Sequence, residues 1–184
     1  MAYDAKTRRT LLFAGSGLTP TFKSDLWAWD GEAQSWTSRT QVNPQPGLRY
    51  GAAATYDVLR ERMIVYRGAT GSSSLTDLWE WDDTTRTWKS RPSSATTASA
   101  RARSTILSDT TAGGVLLYGG YDSQLGGRND LWRFDAAGVR WEAETPTGSS
   151  PPASEGYPAV AYVSSRNSVV LLEDAGFSGS TAPL

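Results

Sequence analysis

One strand pattern recurs along this chain at a nearly constant step. It reads Asp25-Leu26-Trp27-Ala28-Trp29-Asp30, then Asp77-Leu78-Trp79-Glu80-Trp81-Asp82, then Asp130-Leu131-Trp132-Arg133-Phe134-Asp135. Another tryptophan follows each copy, at Trp36, Trp88 and Trp141, so all 8 tryptophans fall on the pattern. The step is 52 residues from Trp27 to Trp79 and 53 from Trp79 to Trp132. A period of this length means one supersecondary unit per repeat, each unable to bury its apolar face alone. Stacked neighbours must build the core.

Laying the copies over one another gives four strand slots per repeat. The first is 49–57, 101–109 and 155–163, opening on Arg49-Tyr50-Gly51 in its clearest copy, with Ala2-Tyr3-Asp4 as the tail of another. Small residues fill its middle, which suits strands crowded around an axis. The second slot is a short apolar run ending near glycine: Leu11-Leu12-Phe13-Ala14-Gly15, Ile64-Val65-Tyr66-Arg67-Gly68, Leu116-Leu117-Tyr118-Gly119-Gly120, and 169–172. Such unbroken runs predict strands covered on both faces. The third slot is the Asp-Leu-Trp strand, whose alternation sets Trp79 and Trp81 opposite Leu78 and Glu80. The fourth starts at Trp36, Trp88 and Trp141, after polar turns. Gly/Ser/Thr loops are expected at 16–24, 69–76 and 121–129. Pro-containing loops are expected at 40–48, 92–100 and 145–154.

Four antiparallel strands per repeat at this period predict an all-β propeller. The residues resemble the Kelch family in particular: Arg49-Tyr50-Gly51, Gly119-Gly120, the Asp77 to Asp82 strand and Trp88 match its pattern in order. Gly15 and Gly68 hold the second glycine of the pair in their repeats. The WD-repeat pattern fits less well, since its per-blade histidine has no counterpart here. The expected organisation is a single Kelch-type unit over 1–184, with repeats near 1–48, 49–100, 101–154 and an incomplete 155–184. That is about three and a half blades, whereas closed propellers have about four to eight. The ring is therefore expected to close either with a second copy, giving six or seven blades, or with missing blades of a longer chain. The strand at 156–163 is expected to complete the first blade of another copy, because the first repeat lacks a full slot-one strand.

The chain has no histidine and no cysteine. That removes a histidine general base, a serine–histidine triad, disulfides, and thiolate or imidazole metal sites. Galactose-oxidase-type copper chemistry, known in the Kelch class, lacks its ligands here. Asp82-Asp83 and Glu173-Asp174 are adjacent, so on a strand they point to opposite faces and form no catalytic dyad. Gly15-Ser16-Gly17 and Gly68-x-x-Gly71 lack the following helix and lysine of a phosphate loop. Asp83-Thr84-Thr85-Arg86-Thr87-Trp88 lacks the glycine of a sialidase Asp box. No enzyme, cofactor or metal is expected. A net charge of −1 predicts no nucleic-acid or membrane partner. The N-terminus has no apolar signal-peptide region, and the longest apolar runs fall far short of a membrane helix. Richness in Ala, Gly and Arg suggests a bacterial source, and the compartment is left open.

Trp27, Trp29, Trp36, Trp79, Trp81, Trp88, Trp132 and Trp141 recur in register, so they read as blade packing rather than a sugar-stacking site. Arg49 and Arg101 open successive slot-one strands. In Kelch adaptor proteins, arginines at matching positions line the central opening and bind acidic peptides, so the resemblance implies a peptide-binding mouth at Arg49 and Arg101. The alternative is that they bond loop carbonyls between blades. Glu155 takes the arginine's place in the last copy. Arg67 replaces a glycine nearby, and Tyr121 follows the Gly119-Gly120 pair on the same loops. The expected function is a binding and assembly module acting through these loops. The alternatives are a carbohydrate-binding or carbohydrate-processing part of a larger secreted protein, and a scaffold or fragment without a ligand.

Overall fold

The computed structural model describes residues 1–17, 21–71, 73–91, 98–110, 114–135, 140–153, 157–166 and 168–172. Three four-stranded antiparallel sheets follow one another along the chain. The first is β1 (Ala2–Asp4), β2 (Arg9–Ser16), β3 (Phe22–Asp30) and β4 (Ser35–Ser38), in that spatial order. The second is built from β5 (Ala53–Asp57) and β6 (Arg62–Tyr66). A small hairpin of β7 (Ala69–Thr70) and β8 (Ser73–Ser74) follows, then β9 (Leu78–Asp82) and β10 (Thr87–Arg91) complete the sheet. The third is β11 (Thr105–Ser108), β12 (Val115–Asp122), β13 (Gly126–Asp135) and β14 (Arg140–Glu144). A hairpin of β15 (Ala159–Val163) and β16 (Ser168–Leu172) comes last. The inner strands β1, β5, β11 and β15 pack in sequence against one another, so the sheets stand as blades about a shared axis.

Period-two alternation decides what each blade buries. In β9, Trp81 faces the first blade, with Trp88 beside it, against Ala2, Leu11, Leu26 and Ala28. Leu78 faces the other way, with Ile64 and Tyr66, against Val115, Leu117, Phe134 and Trp141. Each blade thus lays an aromatic front face on the aliphatic back face of the blade before it. Phe13 meets Trp88 at 5.0 Å between ring centroids, and Tyr66 meets Trp141 at 4.7 Å. The second slot is buried on both faces only where it has neighbours on both sides: Ile64, Val65 and Tyr66 are buried, while Leu12 and Phe13 are half-buried.

Charges inside the blades repeat with inverted sign. Buried Glu80 on β9 accepts from Arg60 and from Arg91, the latter at 2.6 Å. At the matching place on β13, Arg133 donates to Asp109 at 2.8 Å and Glu144 at 2.7 Å. The hairpin turns share one device. Asp4, Asp30, Asp57 and Asp82 each accept backbone N–H bonds from the residues two and three further on. The residue four after each aspartate, Arg8, Gln34, Glu61 and Arg86, is left-handed, with φ between 48° and 58°.

The structure corrects several expectations. Ala2–Asp4 forms a three-residue strand on the inner side of the first blade, pairing Ala2 with Leu11 and Asp4 with Arg9, and it is shorter than the five-residue β5. Within the expected 156–163 strand, β15 pairs with β16 of the same chain, from Ala159↔Leu172 to Val163↔Ser168. The expected loops at 16–24 and 121–129 are shorter than the pattern implied. β12 and β13 run past a bulge between Tyr118 and Gly120, and β2 and β3 past one between Phe13 and Gly15. The slot-one strands begin late, because their opening residues turn instead of pairing regularly.

Two measurements test this packing. Trp81→Ala removes a side chain only 1% exposed and should lower unfolding free energy by about 3–5 kcal/mol in denaturant titration. Gln34→Gly relieves an exposed left-handed residue and should raise it by about 1 kcal/mol.

Candidate functional site

The loop end of the second and third blades is built on a repeated triad of a buried arginine, a half-buried aspartate and a half-buried tryptophan. The Arg49 fork donates to both carboxylate oxygens of Asp77 at 2.8 Å, and Asp77 also accepts from Trp79 Nε1 at 2.6 Å. The Arg101 fork grips both oxygens of Asp130, one at 2.9 Å, and Asp130 accepts from Trp132 Nε1 at 2.8 Å. Arg49 also donates to the Arg67 carbonyl, and Arg101 to that of Gly119. Burial pushes the carboxyls of Asp77 and Asp130 up, but the arginine and tryptophan hydrogen bonds outweigh it and hold both below the usual value.

Arg49 and Arg101 are 1% and 0% exposed, so their forks are committed to these carboxylates and carbonyls. Arg67 is also buried. It lies over the Tyr66 ring at 4.7 Å and donates to the Ala98 carbonyl at 2.6 Å, and burial lowers its pKa. Glu155 lies outside the described residues. Tyr121 is half-buried and reaches the surface. Gly119 and Gly120 carry positive φ, and a Cβ on Gly120 would sit 2.8 Å from the Ser104 Cβ. The bulge therefore lets Tyr121 pair back onto Ala102, with N–H to carbonyl bonds of 3.0 and 2.8 Å.

Above the triads lies a cleft of about 160 Å³. Tyr50 and Tyr121 stand on its walls, with Arg103, Ser74 and Ser123 between them. Tyr50 is itself stacked on Phe22, 4.9 Å between centroids. Arg103 occupies the position that Gly51 holds in the preceding repeat, and Tyr157 holds it in the next. All three are left-handed, at φ 61°, 59° and 53°. The Arg103 N–H donates to the Gly51 carbonyl and the Tyr157 N–H to that of Arg103, both at 2.9 Å. The Arg103 guanidinium lies 5.8 Å from the Tyr157 ring centroid and has no carboxylate partner among the described residues. Sequence reading missed Tyr50, Arg103 and Tyr157. The signal was the third residue of the Arg-x-Gly opening, which is glycine only in the first of the three copies.

Blades of this build, tied by arginine–aspartate forks at one end, define a β-propeller segment. A family model described as the KLHDC2/KLHL20/DRC7 Kelch-repeats domain matches residues 3–173, and the chain belongs to this Kelch-repeat family. Kelch-repeat domains are protein-interaction modules. The chain is also similar to multiple epidermal growth factor-like domains protein 8 of Homo sapiens and of Rattus norvegicus. It is 29% identical to each over 140 residues, covering 73% of this chain and 5% of that protein's length.

Two outcomes are expected of the triads. Arg101→Ala strips Asp130 of both fork bonds, leaving it Trp132 Nε1 and the more distant Arg128, and should cost about 1–3 kcal/mol of stability by denaturant titration. Because the folded pKa values of Asp77 and Asp130 lie below the ordinary 3.8, their stabilisation is fully present above that value. It is lost as pH falls from there through the depressed values. The melting temperature should drop across that window, less steeply in Asp130→Asn than in the parent.

Proposed function

We propose that the chain is a non-enzymatic protein-binding module that takes a carboxylate-bearing peptide at the Tyr50–Tyr121 cleft and self-associates to complete its ring. The observation that carries the peptide site is the left-handed pair Arg103 and Tyr157. A non-glycine residue at such φ costs about 1–2 kcal/mol, and Gly51 fills the same position without that cost. Strain held where a lighter residue suffices points to a use for the side chains. Arg103 supplies a planar cation unpaired within the described chain, Tyr50 and Tyr121 supply apolar walls, and Ser74 and Ser123 supply hydroxyls. This set suits an extended acidic peptide, which a guanidinium can grip through paired N–H groups. The buried Arg49 and Arg101 precede the cleft residues Tyr50 and Ala102 in the chain and, like Arg67, do not line the cleft. Self-association rests on the aromatic front face of the first blade, where Trp36 is 46% exposed while its counterparts Trp88 and Trp141 are each 4%.

The test is selection from a peptide-display library, followed by titration of the selected peptides. Acidic sequences should be enriched, and binding should weaken with salt. Arg103→Gly should reduce affinity about tenfold, a loss of about 1.4 kcal/mol, while raising the unfolding midpoint. Tyr121→Ala should weaken binding without moving the salt dependence. Neutral peptides that bind equally well to Arg103→Gly overturn the reading. Specific retention on a glycan array instead would favour the carbohydrate-binding alternative.

A further inference from the structure

We propose that two copies of this chain dock front to back, the Trp29–Trp36 face of one seated on the β15–β16 face of the other, closing a two-fold ring. This rests on the self-association reading and specifies its contact. The front face of the first blade is already shaped as the others are. Trp29 and Trp36 sit 5.4 Å apart, as Trp81 and Trp88 do at 5.2 Å and Phe134 and Trp141 at 5.2 Å. Only its cover differs. A cavity of about 300 Å³ opens beside Trp29, lined also by Tyr3, Thr10 and Gly31 and by the exposed Arg8–Glu32 ion pair. The matching residues of the second blade, Tyr56, Met63 and Trp81, are buried under the first. The cavity is thus the place where a preceding blade's back face fits.

The other end of the chain offers such a face. Strand register places Ala161, Val170 and Leu172 where the first blade has Ala2, Leu11 and Phe13. It places Leu172 where the second blade has Tyr66. Phe13 and Tyr66 each meet the outer tryptophan of the next blade, Trp88 and Trp141. Val170 and Leu172 meet no such tryptophan among the described residues and are 55% and 72% exposed. Continuing the repeat, Leu172 of one copy lies on Trp36 of the other and Val170 beside Trp29. The contact joins unlike faces, and a two-fold axis lets it occur twice and shut the ring.

A chain free of cysteine permits a clean test. Trp36→Cys and Leu172→Cys copies are mixed and treated with a short bis-maleimide, which spans the gap left by two large side chains. The result expected is a cross-linked mixed dimer, with none when Leu125→Cys replaces Leu172→Cys. Light scattering across a concentration series reads the mass in parallel. Trp36→Arg should weaken the dimer at least tenfold, with an unchanged circular dichroism spectrum. A dimer without the Trp36–Leu172 cross-link, or one cross-linked only between two Leu172→Cys copies, overturns this docking and leaves self-association standing. A monomer at every concentration overturns both.

Discussion

Burial of an indole face against an aliphatic sheet is the interaction on which this molecule depends. No blade has an interior of its own: each is a single twisted sheet, and its core lies in the gap between it and its neighbour. Trp81 is buried because Leu11 and Leu26 belong to the sheet before it, and Tyr66 is buried because Trp141 belongs to the sheet after it. Stability therefore accumulates interface by interface, as in other repeat architectures. The same residue type is core or surface according to its place in the row.

The charged clusters Glu80 and Arg133 build in the interfaces are paired, whereas buried Arg67 has the Ala98 carbonyl and the Tyr66 ring as its neighbours. Glu80 with its two arginines and Arg133 with its two carboxylates satisfy one structural need with opposite charges. The requirement is a closed network at that site, since a buried charge without a partner is expensive whichever its sign. The arginine–aspartate forks at the loop end do the same and also fix the first residues of each inner strand.

The period of the tryptophans exposes the blades, their order and the alternation of their faces to a reader of the sequence alone. What escaped was local. Ala2-Tyr3-Asp4 is legible as the tail of an inner strand, but the three ladder pairs it makes with β2 are not. The forks of Arg49 and Arg101 look available in the sequence because nothing there shows that Asp77 and Asp130, in the next turn of the sheet, take them. The bulges near Gly15 and Gly119 let strands continue through glycine-rich stretches that read as loops. Arg103 was hidden because the left-handed backbone at its position is announced only by Gly51, in a different repeat.

That left-handed position has an evolutionary consequence. Its geometry is held by main-chain bonds from Arg103 to Gly51 and from Tyr157 to Arg103, which do not depend on the side chain. The row of blades thus repeats this backbone position at 51, 103 and 157, where a non-glycine residue costs about 1–2 kcal/mol. New specificities can be sampled there one residue at a time while the scaffold stays constant. A combinatorial library confined to positions 51, 103 and 157 would explore recognition without risking the fold.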